Sequence, residues 1–334
     1  MRRLSTITVA LLASVLLVTG CSPRPDYVPL PEPLPLNFAG QPLPSGSHIE
    51  PANKVAPEPA SDREILGSLR PDDATPQERV PRIVRRDRLV VGVDQSQYLL
   101  SFRDPVTGEL TGFEVELARE IAHDMLGTGA KVDFRFVDSS DRAKSLQEGR
   151  VDLVIRTMTV TPPRQDVVDF STPYLSSNMR MLVPRGSNIV DISTIGKGTI
   201  CVADGSTAVD MARVQAPDSY LLITNRWADC LMAVQQFQAD AVLADDTILS
   251  GMAAQDPSTD IVSLPLANQF YAVGVKKGNE GLVRQVNSTM ERIRKDGTWI
   301  EMYNKWFGDY LSAAGPPLLH YREEEEALPD DQHP

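Results

Sequence analysis

A regular alternation of strand-like and helix-like segments limits most strongly how this chain can fold. Residues 89–93 are a short apolar run, and Phe113, Leu117, Ile121 and Met125 then follow at the i, i+4 spacing of one helix face. The alternation continues with predicted strands at 132–136, 151–155, 199–203, 220–223 and 240–244, and predicted helices at 141–148, 207–214, 226–237 and 246–253. Alternating strands and helices form mostly parallel sheets, which bind ligands at the carboxyl ends of their strands. The sequence therefore predicts an α/β fold.

The net charge excludes one class of protein. The 334 residues include 33 Lys and Arg against 45 Asp and Glu, a formal charge of −12. A nucleic-acid-binding protein needs a basic face, so we expect no nucleic-acid partner. Much of the net negative charge lies at the C-terminal end, because residues 322–334 hold six acids and one base. We therefore expect residues 312–334 to form an acidic disordered tail.

The first 21 residues resemble a bacterial lipoprotein signal. Arg2 and Arg3 precede an apolar run at 7–17, which is too short to span a bilayer core of about 30 Å, and Cys21 follows directly. The resemblance implies export and acylation of Cys21, which would hold the protein on the outer face of the cytoplasmic membrane. The alternative is an ordinary signal peptide in which the cysteine is coincidental.

Residues 22–81 contain 14 of the 26 prolines and few apolar side chains. Proline lacks a backbone N–H and is excluded from helix interiors and central strands, and a segment with little apolar surface to bury stays disordered. We therefore expect 22–81 to be an extended tether that lets a folded domain search for a membrane partner. A leader without a role is the alternative.

The three cysteines fall into two groups, Cys21 at the end of the signal-like segment and the pair Cys201 and Cys230. If Cys21 carries lipid, Cys201 and Cys230 remain in an oxidising compartment, where one disulfide is the simplest inference. Cys201 lies in a predicted strand and Cys230 in a predicted helix, so the bond would join these two elements. Two buried free thiols are the alternative.

Four stretches, taken in order, resemble the bacterial extracellular solute-binding proteins of family 3, which bind polar amino acids for uptake systems. They lie between residues 80 and 311 and comprise GELTGFEVEL from Gly108, VDL from Val151 through Arg164 to the DFS at 169–171, ADAVLADD from Ala239, and DGTW with KWFG from Asp296. The proline-rich segment and the cysteine pair resemble those of the glutamine-binding lipoproteins in this family.

The resemblance implies a two-lobed, periplasmic-binding-protein-like fold of type II. Such a fold has two mixed, mostly parallel sheets and two crossing segments that act as a hinge over the ligand. We expect lobe 1 at 82–183 plus 275–311 and lobe 2 at 184–274. The crossings are expected near 181–183 and 272–274.

The resemblance also implies a site for a free amino acid, a zwitterion whose two charges must both be paired when buried. Arg164 matches the arginine that grips the α-carboxylate, and its guanidinium fork suits bidentate pairing. A solvated arginine in a turn is the alternative. Asp245 matches the acid that accepts the α-ammonium, and we expect Asp246 to cap the helix that begins near Thr247.

Polar residues after two other predicted strands complete this part of the site. Thr157 and Thr159 match positions that offer backbone and hydroxyl groups to the ligand. Ser206 and Thr207 open a helix, whose N-terminal amides and hydroxyls suit a carboxylate. An ordinary N-cap is the alternative there, and it is compatible with ligand binding.

The pocket for the ligand side chain combines features of two ligand classes. Asp94 matches an acid of glutamine binders, but Gln97 and Ser139 stand where those proteins have an aromatic pair. Ser139 and Arg142 match a serine and an arginine of glutamate and aspartate binders. Arg156 adds another cation, and an Arg156–Asp94 pair would leave room for a carboxylate or an amide. We therefore expect glutamate, aspartate, asparagine or glutamine as ligand, and no cationic or aromatic amino acid.

Three of the four histidines lie in the expected tether or tail, so we predict no metal site, no cofactor and no histidine-based catalysis.

The expected function is delivery of an amino acid to an ABC-transporter permease by a monomeric, lipid-anchored protein. One alternative is a sensor that signals to a membrane receptor. The other is an enzyme of the cyclohexadienyl or arogenate dehydratase type, for which Asp94 or Asp245 would be the general acid.

Overall fold

The computed structural model describes residues 42–54, 64–262, 264–312 and 314–323. The expected signal peptide, Cys21, the first part of the expected tether and the acidic stretch 324–334 lie outside these residues. Within the described ranges, no helix combines the length and the apolar character that crossing a membrane requires.

The elements predicted between residues 89 and 253 are present, and their ends lie within two residues of the predicted ends. The strands are β1 (His48–Glu50), β2 (Leu89–Val93), β3 (Ser96–Gln97), β4 (Ser101–Arg103), β5 (Leu110–Thr111), β6 (Val132–Phe136), β7 (Leu153–Val154), β8 (Val168–Pro184), β9 (Thr199–Ala203), β10 (Tyr220–Thr224), β11 (Ala241–Asp245), β12 (Thr259–Ile261) and β13 (Ala267–Lys276). The α-helices are α1 (Pro76–Arg79), α2 (Pro81–Arg86), α3 (Phe113–Leu126), α4 (Arg142–Gln147), α5 (Pro162–Val167), α6 (Thr207–Gln215), α7 (Trp227–Gln235), α8 (Asp246–Gln255), α9 (Glu280–Lys295) and α10 (Thr298–Phe307). Short 3-10 helices lie at Ser139–Asp141 and Ile192–Ile195.

The main strands pair into one continuous sheet, where two were expected. Its order is β1-β10-β9-β11-β8-β13-β7-β2-β6, with β12 paired to β8, and β3, β4 and β5 form a small separate sheet. β2 pairs in parallel with β6 and β7 in lobe 1, and β9 pairs in parallel with β10 and β11 in lobe 2. The long antiparallel strands β8 and β13 run through both lobes and join the two parallel groups. The two-lobed type II α/β fold is confirmed.

Strand pairing locates one of the two hinge crossings. Met181 and Leu182 of β8 already pair with β11 in lobe 2, and Gly274 of β13 pairs with β7 in lobe 1. The chain therefore changes lobes before Met179 in β8, and the expected crossing at 181–183 is wrong because an extended strand keeps the same apolar pattern when it exchanges one partner strand for another. The pairing of Gly274 is compatible with the crossing expected at 272–274, which stays a prediction.

Burial of apolar faces explains why these elements form. The predicted face of α3 and the Leu282, Val286, Thr289 and Ile293 face of α9 are buried, and β2 and β9 are buried along nearly their whole length. Parallel strands that helices cover on both faces show such continuous apolar runs. Helix α10, which the periodicity did not predict, places Trp299 and Phe307 against Phe113 of α3 and so closes the core of lobe 1.

Part of the expected tether is folded, so that prediction is wrong for residues 48–50 and 76–79. β1 pairs antiparallel with β10 at the edge of lobe 2, and Glu50 accepts a hydrogen bond of 2.8 Å from Arg213. α1 begins at Pro76, where the missing N–H would have no helical partner in any case. Proline therefore excludes helix interiors and central strands here, but it permits a helix start and a neighbouring edge strand.

The first part of the expected C-terminal tail is also folded. Tyr321 forms a parallel bridge with Ser68, and its hydroxyl donates to Glu291 of α9 over 2.8 Å. The Arg70 guanidinium lies over the Tyr321 ring, 4.7 Å from its centroid. The prediction of a disordered tail from residue 312 is therefore wrong as far as Arg322, whose backbone N–H donates to Ser68.

The predicted disulfide is confirmed. It joins Cys201 of β9 to Cys230 of α7, with 5.4 Å between the two Cα atoms and 29 residues of sequence separation. Both cysteines are fully buried, so the bond lies inside lobe 2 and ties its central strand to a covering helix.

Candidate functional site

One cavity lies between the two lobes. Its free volume is about 10 Å³, roughly the room for a single water molecule, so its walls lie close together. This interlobe cavity is lined by Ser139, Arg142, Thr157, Thr159, Arg164, Met179, Ser206, Thr207, Ala208, Trp227, Ala244, Asp245 and Ile248. Eight of the ten predicted ligand-binding residues are among them, whereas Asp94 and Arg156 are not.

The topology explains why residues so distant in sequence meet there. Most of the lining follows the carboxyl ends of parallel strands: β6 and β7 in lobe 1, and β9, β10 and β11 in lobe 2. Parallel strands place these ends on one edge of each lobe. The two edges face each other across the cavity.

The Arg164 guanidinium bridges the lobes. Its Nη1 donates to the carbonyl of Thr159 over 2.7 Å, and its Nη2 donates over 2.9 Å to the carbonyl of Gly205, just before α6 in lobe 2. Burial lowers the pKa of Arg164 to about 10, although attraction to Asp245 and Asp210 opposes that shift. A cation desolvated in this way is stabilised by an anionic group in the cavity.

Asp245 presents a carboxylate to the same cavity from lobe 2. Its Oδ2 accepts a hydrogen bond from the Tyr271 hydroxyl, whereas its Oδ1 is buried and has no hydrogen-bond partner among the described residues. Burial raises the pKa of Asp245 to about 6, the bond from Tyr271 opposes this, and the charge of Asp246 adds to it. A ligand ammonium would give Oδ1 the donor it lacks.

The prediction that Asp246 caps α8 is wrong. The helix begins at Asp246 itself, and Asp245 occupies the N-cap position without a side-chain capping bond. The Asp246 carboxylate instead accepts hydrogen bonds from the Ser177 hydroxyl, over 2.6 Å, and the Asn178 backbone N–H, over 3.1 Å. The two adjacent acids therefore have separate surroundings: Asp245 lines the cavity, and Asp246 ties α8 to β8.

Arg142 is buried and donates only to backbone carbonyls among the described residues. Its Nε donates to Ser139 over 2.7 Å, and its Nη1 donates to Arg156 over 3.1 Å and to Thr157 over 3.0 Å. Its Nη2 reaches the Gly205 carbonyl of lobe 2 over 3.0 Å. Burial lowers the pKa of Arg142, and the charges of two neighbouring arginines lower it further.

The expected pair of Arg156 and Asp94 is present, with 2.5 Å between Nη2 and Oδ2, and both side chains are fully buried. The other carboxylate oxygen of Asp94 accepts two backbone N–H groups and the Ser96 hydroxyl, each over 2.7 Å. Arg156 also donates to the Ser139 hydroxyl, which lines the cavity. The pair therefore lies one layer behind the cavity and orients Ser139.

The two threonines line the cavity, but part of their backbone is already engaged. The Thr157 N–H donates to Glu114 over 2.6 Å, and the Thr159 carbonyl accepts from Arg164. That both threonines offer groups to a ligand stays a prediction, and the Thr157 N–H and the Thr159 carbonyl already have partners within the protein. Their hydroxyls have no hydrogen-bond partner among the described residues and could contact a ligand.

Ser206 is the N-cap residue of α6, yet its hydroxyl caps nothing, because Oγ is buried without a hydrogen-bond partner among the described residues. The Thr207 hydroxyl donates to Gln269 of β13 over 3.3 Å. The helix N-terminus, the unpartnered hydroxyl and Arg164 thus converge on one part of the cavity, an arrangement that favours a carboxylate. In the described ranges, no group of three or more His, Cys, Asp or Glu side chains could hold a metal ion.

A model of the bacterial extracellular solute-binding proteins, family 3, matches residues 89–309. The chain belongs to this family. The ABC transporter glutamine-binding protein GlnH of Bacillus subtilis is 34% identical over 221 residues, which cover 66% of this chain and 81% of that protein. The glutamate-binding protein GluB of Corynebacterium efficiens is 26% identical over 238 residues, 68% of this chain and 81% of that protein. The crystal structure of an ancestral amino acid-binding protein, a precursor of cyclohexadienyl dehydratase, is similar at a TM-score of 0.63 and 28% identity, covering 68% of this chain and 98% of that chain.

This family 3 protein also has apolar lining that sequence reasoning missed, namely Met179, Ala208, Trp227, Ala244 and Ile248. Trp227 begins α7 and is only 4% exposed. The sequence could have indicated Trp227, because this residue follows the carboxyl end of a predicted strand, as the polar candidates do. Met179 gave no such signal, because it lies in the interior of β8.

Proposed function

We propose that this protein binds one free polar amino acid in the interlobe cavity and delivers it to the permease of an ABC transporter. The observation that carries the proposal is the position of Arg164 and Asp245 on opposite lobes of a single cavity. A zwitterion with its carboxylate on Arg164 and its ammonium on Asp245 would satisfy both charges. Because the two partners belong to different lobes, the same ligand would favour the closed arrangement.

The charges of the lining support a narrow set of ligand side chains. Arg142 and Arg164 contribute two positive charges against the one carboxylate of Asp245, and the Arg156–Asp94 pair behind them is neutral as a unit. A cationic side chain would add a third positive charge to a buried site, whereas a carboxylate or an amide would not. The proposed ligands are therefore glutamate, aspartate, asparagine and glutamine, and the glutamine-binding and glutamate-binding relatives support this range.

Calorimetry of the purified protein with each of the twenty amino acids tests the proposal. We expect binding of one or more of the four, and a ligand at 100 times its Kd should add about 2.7 kcal/mol to the free energy of unfolding. Arg164→Gln should weaken binding on the order of 100-fold, since a buried charge partner is removed. Arg185→Gln is the control, because Arg185 is exposed and pairs with Asp260 within lobe 2. Tight binding of lysine or arginine with none of the four would contradict the proposal.

The location and the membrane partner extend the same proposal. Acylation at Cys21 would anchor the monomeric protein to the outer face of the cytoplasmic membrane, and the chain up to β1 would be the tether. Crosslinking in membranes should recover permease subunits. Recovery of a receptor and no permease would favour a sensor, which would use the same closure to report occupancy. Release of the Cys21→Ser protein from the membrane fraction would support the anchor, and its retention would count against it.

One observation favours an enzyme as the second candidate. The pKa of Asp245, raised to about 6, would let it act as a general acid near neutral pH, and a structural relative is a precursor of cyclohexadienyl dehydratase. The two named relatives, GlnH and GluB, are binding proteins, and the structural relative is itself described as an amino acid-binding protein, so we propose that the chain is not an enzyme. Incubation with prephenate and with arogenate should give no product, and turnover that Asp245→Asn abolishes would overturn this.

A further inference from the structure

Glu114 is a buried acid that lies outside the interlobe cavity. It belongs to the first turn of α3 and is fully buried. Its Oε1 accepts hydrogen bonds from the Thr157 backbone N–H, over 2.6 Å, and from the Tyr174 hydroxyl, over 2.5 Å. The Ser101 hydroxyl donates to Oε2 over 3.4 Å. Burial raises the pKa of Glu114. A polar group is kept in such surroundings only when hydrogen bonds compensate for its desolvation, and three donors surround this one.

Thr157, the backbone partner of Glu114, has a strained conformation. Its φ is +40°, in the left-handed region that a β-branched residue adopts only when its surroundings impose it. Thr157 also lines the interlobe cavity. The bond from its N–H to Glu114 acts directly on the peptide unit whose orientation φ describes. Glu114 is therefore placed to hold this conformation.

The orientation of Thr157 affects more than its own side chain. Its carbonyl accepts from Nη1 of Arg142 over 3.0 Å, and Nη2 of the same guanidinium donates to Gly205 in lobe 2. A change in the Thr157 backbone would thus displace an acceptor of Arg142 and, through it, a contact between the lobes. The connection runs from Glu114 to Thr157, to Arg142 and to lobe 2.

We propose that Glu114 is a positioning residue for ligand binding, which holds Thr157 in its left-handed conformation and so sets the place of Arg142 in the interlobe cavity. The part of this proposal that concerns affinity rests on the proposed amino acid-binding function. The part that concerns the Thr157 backbone does not, because it is visible in the folded protein without a ligand.

A double-mutant cycle with Thr157→Gly tests both parts. Glycine adopts positive φ without restraint, so a residue that holds this backbone should matter less in its presence. We expect Glu114→Ala to weaken ligand binding at least tenfold in the natural background and less than threefold in the Thr157→Gly background. The cycle measured on the equilibrium constant of unfolding, without ligand, should show coupling of the same sign. Glu114→Gln, which keeps an acceptor oxygen, should recover most of the affinity, and Glu114→Met, which fills the same space without an acceptor, serves in the cycle if Glu114→Ala does not fold.

Tyr174→Phe is the matched control. It removes the other donor to the same Oε1 and leaves the Thr157 bond in place, so it should lower stability and leave affinity within about threefold. Equal losses of affinity for Tyr174→Phe and Glu114→Ala would overturn the proposal, as would losses that are the same in both Thr157 backgrounds. If the natural protein binds none of the four amino acids, the proposed function fails, and the unfolding cycle still decides whether Glu114 holds Thr157.

Discussion

The Arg164 guanidinium in lobe 1 donates to the carbonyl of Gly205 in lobe 2 over 2.9 Å. Arg142 donates to the same oxygen over 3.0 Å, so the buried Arg142 and the half-buried Arg164 meet one backbone acceptor across the interlobe cavity. This convergence places the start of α6 directly against lobe 1. Closure of the lobes therefore assembles the binding site and does not merely cover it.

Gly205 should control closure by its lack of a side chain. Its φ is +68°, and an added Cβ would lie 2.7 Å from the Cα of Ser140 in lobe 1. An alanine here would have the same cost of positive φ in the open and the closed form, but its Cβ would clash with Ser140 only in the closed form. Gly205→Ala should therefore weaken ligand binding at least about tenfold, or about 1.4 kcal/mol. Gly186→Ala is the control, because Gly186 has φ +78° and open space around it. Calorimetry on both variants checks this, and equal affinities would contradict it.

Ligand affinity should fall below pH 6 because of Asp245. Its pKa is raised to about 6 in the ligand-free protein, so below that pH a ligand ammonium must displace a proton before it can pair with the carboxylate. Affinity for glutamine should therefore be about tenfold lower at pH 5 than at pH 7, with proton release on binding. Calorimetry in two buffers of different ionisation enthalpy measures both quantities. Asp245→Asn should bind weakly and lose this pH dependence.

The same carboxylate should destabilise the ligand-free protein at neutral pH. A folded-state pKa of about 6 against an ordinary value of 3.8 means that the protonated form stabilises the fold below pH 3.8 and that this stabilisation is lost as the pH rises through 6. Asp245→Asn should thus raise the free energy of unfolding at pH 7.5 by up to about 3 kcal/mol. Urea unfolding at pH 7.5 measures the gain. A loss of stability in the Asn variant would show that the Asp245–Tyr271 bond outweighs burial of the charge.

Arg226 should stabilise the closed state from the rim of the cavity. Its guanidinium lies over Phe136, 4.7 Å from the ring centroid, and 3.8 Å from the Asp138 carboxylate, both in lobe 1. The side chain is 49% exposed, so the two contacts together are worth about 1 kcal/mol. Arg226→Ala should therefore weaken ligand binding roughly fivefold. Arg185→Ala, whose ion pair lies within lobe 2, should leave affinity unchanged, and a similar loss in both variants would refute the interlobe role.

Loss of the disulfide should reduce stability more than affinity. The bond between Cys201 and Cys230 closes a loop of 29 residues, for which the chain-entropy model gives about 3–4 kcal/mol. The double variant Cys201→Ala with Cys230→Ala should lose about that amount of unfolding free energy. Its affinity should change little, because neither cysteine lines the cavity. Urea unfolding with calorimetry below the transition checks both, and a large loss of affinity would mean that the bond positions Trp227, one turn before Cys230.

Several parts of the site were identified through the resemblance to family 3. Thr159, Ser206 and Asp245 lie within four residues of the ends of predicted strands, and carboxyl ends of parallel strands meet at one edge, which is consistent with their convergence. The disulfide followed from counting cysteines. By contrast, the partner of Asp246 and the position of Asp94 behind the cavity depend on contacts between residues far apart in sequence, which no local pattern encodes.

The sequence by itself determined the alternating elements, because periodicity sets which faces are buried, and its resemblance to family 3 implied the two-lobed fold and the polar residues of the site. Only the tertiary structure decided where β8 exchanges lobes, which prolines stand beside folded segments, and how Glu114 holds Thr157. These features arise from pairings across 40 to 250 residues, as between Glu114 and Thr157 or between Ser68 and Tyr321. Such pairings exist only once packing has fixed the distance between the partners.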